Sequence, residues 1–389
     1  MSINLVRMKF AAVAAKVETT PGVDAIGGTP AAADWIASEM EVQFDPTIIE
    51  LPELTGSLDK AASVVGGLKP RLRMRMPLRG SGTAGIAPDF GKLLRCCTFS
   101  ELVTAAAIGS PTAAAAAGTT TTTTAGAVFA ATAQQYRGMP LLLSGDQSTV
   151  TGIVDYTAAR IATIGETRPA AMTVATLLQI PINVLYSPTS DESVYKTTTL
   201  YFYADGIQWI FTGAVGSPTL ELSTGGIGFI SFEMRAQFAA KNIVTVPAGA
   251  TAVLRPTPPR FVAGKSQLNK LPARLKTLTI NAGVNVILPD DPESAEGYGP
   301  ALPIERDVAG TLDPYIDTTT SQGLFNNFRN GTAMSLMAII GSTPGNRFLA
   351  MVPNAKAIAM DPGARDGLGQ HSVNFQGDGA DSAFYLAQF

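Results

Sequence analysis

With 389 residues the chain is long enough for about two or three domains and for a sizeable buried core. Only 15% of the residues are charged, against about 25% in an average soluble protein, and the net charge is -3, so the overall balance marks neither a nucleic-acid nor an anionic-membrane surface. No run approaches the roughly 18 apolar residues of a membrane-spanning helix, and the abundance of Gly, Ala, Thr and Pro implies a largely uncharged surface, of the kind covered by copies of the same chain or by partners.

The first segment reads MSINLVRMKFAAVAAK. Its apolar run, Phe10 to Ala15, is shorter than a signal-peptide core and is followed at once by Lys16 and Glu18, which predicts an arm or first strand of a non-secreted protein. Residues 68–85, LKPRLRMRMPLRGSGTAG, alternate: Leu72, Met74, Met76 and Leu78 share one parity, Arg71, Arg73, Arg75 and Arg79 the other. That spacing predicts a strand with one apolar core face and one cationic face. Gly80 to Gly85 then spell G-x-G-x-x-G, where a dinucleotide-binding turn would sit. A strand of that kind is buried on both faces and apolar on both parities, so the arginines exclude it and leave a plain strand–turn–helix connection. Pro88 suits a first helical turn, placing a short helix over PDFGKLLRCC, with Cys96 and Cys97 as two buried thiols of a reduced compartment.

Residues 105–133 are uncharged and low in complexity and read as a linker. Strand runs follow at Leu141 to Leu143, Gly152 to Tyr156 and Arg160 to Ile164, so 105–196 is expected to be an inserted linker and small outward-facing β module. An antiparallel meander comes next: TTTLYFYADG, IQWIFTGAV, PTLELSTGG and IGFISFEMRAQF, joined by Asp-Gly and Gly-Gly turns. In the last of these, Gly228, Ile230, Phe232, Met234, Ala236 and Phe238 form the predicted core face. Residues 245–276, rich in Pro, Ala, Lys and Arg, read as an extended connector. The remainder repeats an order already seen: DFGKLLR precedes the first meander, GLFNNFRNG precedes AMSLMAIIG and GNRFLAMVP, and FEMRAQF is echoed by the final FYLAQF. The expected organisation is a first domain of 1–104 with 197–244, the insertion, the connector, and a second, similar domain of 277–389.

Reactive groups do not converge. His371 is the sole histidine and is expected to be an ordinary surface or interface side chain, and one His with two Cys cannot furnish a structural zinc centre. AGKS at Ala263 to Ser266 resembles the end of a phosphate loop, but Pro259 stands where the first glycine belongs. The acidic run PDDPESAE lacks the spacing and central glycine of a calcium loop and reads as solvated. No catalytic residue, cofactor or metal is expected.

Taken together, AAKVETTPGVD, LRGSGTAGIAPDFGKLLRCC and the meander resemble the major tail tube proteins of long-tailed, non-contractile bacteriophages, over roughly residues 10–103 and 197–240. The resemblance implies a mainly β fold, two packed antiparallel sheets in sandwich or barrel form with a short flanking helix, whose subunits join edge to edge into rings. Rings stack into a virion tail tube that conducts DNA through its lumen without specific binding. The implied partners are the chain itself, other tail proteins such as tape measure, terminator and distal tail proteins, and no membrane, with assembly in the bacterial host cytoplasm. A duplicated chain would make trimeric rings with pseudo-sixfold symmetry, the favoured arrangement; an illusory repeat would require hexameric rings. A head-decoration or tail-terminator protein, or a soluble β-rich binding module, are the alternatives. Within this reading Lys16, Glu18, Arg71, Arg73, Arg75 and Arg79 are the expected assembly residues. The arginines would meet acidic groups across an interface, with FDPTIIELPEL (Phe44 to Leu54) as one source.

Overall fold

The computed structural model describes residues 6–54, 56–251 and 255–389. The first part of the chain forms β1 (Ala11–Val17), β2 (Trp35–Ile36), β3 (Glu39–Ile49), β4 (Val64–Pro77), helix α1 (Gly91–Arg95) and β5 (Phe99–Thr104). Six short strands follow: β6 (Ile108–Ala113), β7 (Thr122–Thr124), β8 (Pro140–Gly145), β9 (Thr149–Tyr156), β10 (Ile161–Ile164) and β11 (Thr176–Ile180). Then come β12 (Asn183–Pro188), β13 (Thr198–Ala204), β14 (Ile207–Ser223) and β15 (Phe229–Asn242). The last part holds β16 (Lys265–Leu268), β17 (Leu271–Pro272), β18 (Leu275–Asn281), β19 (Val284–Ile287), β20 (Leu302–Arg306), β21 (Ala309–Pro314), helix α2 (Ser321–Arg329), β22 (Met334–Ile340), β23 (Phe348–Arg365), β24 (Leu368–Gly377) and β25 (Tyr385–Gln388).

The protein is mainly β, and every pairing between these strands is antiparallel. One layer runs β3-β4-β15-β14-β18-β21-β24-β23. Along the chain the order hairpin, helix, meander occurs twice: β3–β4, α1 and β13–β14–β15, then β18–β21, α2 and β22–β23–β24. The second layer contains β2-β1-β13-β14 and β16-β22-β23-β25-β12-β5. The long strands β14 and β23 belong to both layers because each bends midway, at register shifts between Thr212 and Val215 and between Ala357 and Ala359. An extra residue in one strand of an antiparallel pair forces such a bend. The bend is why IQWIFTGAV and PTLELSTGG, expected as separate strands, form one 17-residue strand.

The core lies between the layers. Leu72, Met74, Met76 and Leu78 are buried there with Ile230, Phe232 and Met234, while the intervening residues of β4 point away. Side chains alternate faces along a strand, and each buried apolar side chain contributes about 1.5–3 kcal/mol. Helix α1 closes one side of this core with Leu93 and Leu94, and beside them Cys96 and Cys97 are buried free thiols, their pKa values pushed up by burial.

Strands β6 to β11 form a separate sheet of order β6-β11-β8-β9-β10-β7. The threonine- and alanine-rich stretch expected to be a linker supplies β6 and β7, because β-branched threonines suit a strand as well as a loop. This sheet buries Phe129, Tyr136 and Tyr156 against Met337, Leu349, Met351 and Tyr385, on the face of β22, β23 and β25 away from the main core. Strand β12, inside the expected insertion, pairs with β5 and β25 in the main sheet. The segments FEMRAQF and FYLAQF occupy different places, the former in β15 beside β4, the latter in β25 between β12 and β23.

Candidate assembly surfaces

Opposite the core, the polar face of the long layer is charged in its first half. Strand register places Arg75, Arg73 and Arg71 across from Glu39, Glu41 and Gln43 of β3 and from Ser231, Glu233 and Arg235 of β15. Glu233 is shared: its carboxylate lies 2.7 Å from Arg71 Nε and 3.8 Å from Arg73 Nε. Arg75 Nη2 donates to Glu221 at 3.0 Å, and its guanidinium lies 3.8 Å from the centre of the Phe229 ring. Arg235 Nη1 donates to Asp45 at 3.0 Å. Within the single chain, Arg71, Arg73 and Arg75, expected to meet acids across an interface, each already lie beside a carboxylate of their own sheet. Of FDPTIIELPEL it is Asp45 that engages an arginine, and that arginine is Arg235. Opposite charges across adjacent strands attract, so the arginines and carboxylates of this face form a lattice within the sheet. The side chains of Arg71, Arg73 and Arg75 are 33%, 48% and 47% exposed, so each pair contributes no more than about 1 kcal/mol.

The other expected assembly residues divide. Lys16 is exposed on β1, opposite Thr199. Glu18 is buried and accepts four hydrogen bonds, from Gly22 N at 2.8 Å, Thr197 Oγ1 at 2.5 Å, Thr199 Oγ1 at 2.9 Å and Gly213 N at 2.8 Å. It pins the bend of β14 inside the chain rather than offering a surface. Arg79 leaves the lattice as well: it is half-buried beside Arg255 and Asp89, where burial, then the Arg255 charge, lower its pKa against the opposing pull of Asp89. Arg255 Nε donates to Asp89 at 2.5 Å.

In the second half of the layer the centre of the same face is uncharged, and the charges at its borders are paired, Lys356 with Asp378 at 2.5 Å and Asp313 with Arg365 at 2.6 Å. Thr279, Asn281, Thr311, Asn374 and Gln376 occupy the centre, in register with Glu221 and Thr219 of β14. His371, expected at the surface, lies in β24 and is buried on the core side with Val373 and Phe375, and burial lowers its pKa. The two ends of the layer are open: among the described residues β3 pairs only with β4, and β23 beyond Ala357 only with β24. By contrast β14, at the centre, is paired on one side with β15 and on the other with β18.

The turns of the two hairpins also differ. In the first, Leu54 and Leu58 are fully exposed, with Ile48, Ile49, Val64 and Val65 half or more exposed beneath them. In the second, residues 282–308 fold back as β19–β20 and an acidic loop. That loop sits on the first hairpin: Leu68 N donates to Glu296 at 3.0 Å, and Lys69 Nζ lies 4.3 Å from the centre of the Tyr298 ring. The glycine motif is a packing device of the same kind. Gly80 N donates to Asn346 Oδ1 at 2.8 Å, Gly82 N donates to Gly345 O at 3.1 Å, and a Cβ on Gly80 would lie 2.0 Å from Gly345 O. Lys265 of AGKS holds the small sheet to the main body, with its ammonium 2.7 Å from the largely buried Glu166. Composition alone could not reveal these contacts, since each joins residues about 100 or more positions apart.

No group of three or more His, Cys, Asp or Glu residues that could hold a metal occurs among the described residues. No helix of the described residues is long and apolar enough to cross a membrane. No curated protein matches the chain. The family model described as phage tail tube protein matches residues 11–377, nearly the whole length. With open sheet edges, a two-layer antiparallel fold and this match, the chain belongs to the phage tail tube family and is a structural protein of the virion tail.

Proposed function

We propose that the chain is the repeating subunit of the tail tube, forming stacked rings around a channel that conducts DNA, with three chains in each ring. The observation that carries this reading is the pairing of β14 with β18, Thr219 opposite Asn281 through Ser223 opposite Thr277. It joins the last strand of one four-strand set to the first strand of the next. The open edges, β3 and the C-terminal half of β23, are the same two positions in the repeat, so a second copy adding β3 to β23 would reproduce the internal join. Exposed edges normally invite uncontrolled pairing, and ring closure removes them. Each chain then counts as two tube domains, consistent with the repeated order of hairpin, helix and meander, and three chains make a pseudo-sixfold ring.

The layer shared by all copies has its core side covered by the second layer, so its polar face lines the channel and the six-stranded module lies outside. The exposed hairpin residues Leu54 and Leu58 project along the strand direction, toward the next ring. Other tail proteins would cap or fill such a tube, and assembly belongs in the bacterial host cytoplasm. Electron microscopy of the concentrated protein, with rotational averaging of end-on views, tests the reading. Stacked rings of three chains around an open channel are expected. Six chains per ring would refute the duplication, and discrete monomers at every salt concentration would refute self-assembly.

A further inference from the structure

Resting on the channel reading, we infer that Glu233 and Glu221 keep the wall from adhering to DNA, by occupying Arg71, Arg73 and Arg75 so that DNA phosphates cannot. Arginines on alternate residues of β4 recur about every 6.8 Å, and duplex DNA carries one charge per roughly 1.7 Å of its axis. A bare row would bind several phosphates at once and release their counterions, a strong and salt-sensitive attachment. Here each arginine already faces a carboxylate of its own sheet: Glu233 serves Arg71 and Arg73, and Glu221 serves Arg75. Glu41 and Glu39 stand across from Arg73 and Arg75 on the other side. The neighbouring half of the face offers Thr279, Asn281, Thr311, Asn374 and Gln376, which carry no charge for a phosphate to exchange, and at its borders Lys356 and Arg365 are likewise held by Asp378 and Asp313. Because arginines and carboxylates nearly balance on this face, the pairing occupies the arginines without making the wall strongly repulsive to a polyanion.

The test compares assembled wild-type protein with Glu233→Gln and with the triple variant Glu233→Gln, Arg71→Gln, Arg73→Gln. The readout is cosedimentation of a short fluorescent DNA duplex across a salt series. Glu233→Gln should bind the duplex more tightly, with a slope of log affinity against log salt steeper by about two, one for each freed arginine, and the triple variant should return to wild-type behaviour. Equal binding by Glu233→Gln and wild type would overturn the inference. If Glu233→Gln does not assemble, the same salt series on unassembled chains decides the matter, since the face is exposed in the single chain. A separate measurement addresses the channel reading: Ser231→Cys, on this face, should resist a bulky maleimide in assembled tubes and react in the free chain. The native thiols Cys96 and Cys97 are buried and leave the signal clean. Labelling as fast in tubes as in free chains would show that the face is not the channel wall, whatever the DNA result.

Discussion

The two four-strand sets of the long layer share a topology and differ in almost everything their surfaces present. The first carries arginines and carboxylates in alternation, leaves its hairpin turn free, and has the bend of its long strand pinned by a buried carboxylate. The second carries threonine, asparagine and glutamine at its centre with ion pairs only at its borders, folds its hairpin turn back onto the first set, and bends β23 at a bulge flanked by Ala357 and Ala359. Backbone pairing and an apolar inner face are enough to repeat the fold. The outward face is free to diverge, because the core does not read it.

The largest effect separating the two sets is expected at the pinned bend. Glu18→Ala strips acceptors from two backbone amides and two threonine hydroxyls in a buried site and should cost about 3 kcal/mol or more of stability, read by chemical denaturation of the unassembled chain. An unchanged midpoint would mean that β14 does not need the carboxylate to hold its bend. Next in size is the contact between the sets. Gly80→Ala puts a methyl group against the Gly345 carbonyl and should cost about 1–3 kcal/mol, while Gly225→Ala, at a turn with open space but positive φ, isolates the backbone term.

The smallest effect sharpens the comparison through pH. His371 lies in the second set, and burial holds its folded pKa below the ordinary value of about 6.5. Its neutral form is favoured by folding, so stability is full above the unfolded pKa and declines as pH falls below it, where the unfolded chain takes up the proton first. His371→Gln should flatten the decline of the denaturation midpoint between about pH 6.5 and 5; a decline of the same steepness would assign it to other groups. With no other histidine in the chain, this window reports on the second set.

Much of the first set was legible before folding. The alternation of Leu72, Met74, Met76 and Leu78 against arginine announces both a strand and its buried face, and the parity of Ile230, Phe232 and Met234 supplies its partner. Glu18 was visible only as a charge following the first apolar run. Its role depends on Gly213, nearly 200 residues away, and no local pattern encodes that meeting. His371 was misplaced for a related reason: a polar stretch rich in Gly, Gln and Ser looks like a turn, yet every second residue from His371 to Phe375 faces the core.

Local sequence by itself determined which residues face inward and where the chain turns, because side-chain period and turn chemistry operate over a few neighbours. Tertiary structure alone decided who meets whom: that the arginines find carboxylates in their own chain, that a glycine motif is a seat for a distant turn, and that β14 pairs with β18 and leaves the edges of β3 and of the end of β23 open. Those outcomes turn on strand order and register, which bring together residues that the chain separates by hundreds of positions.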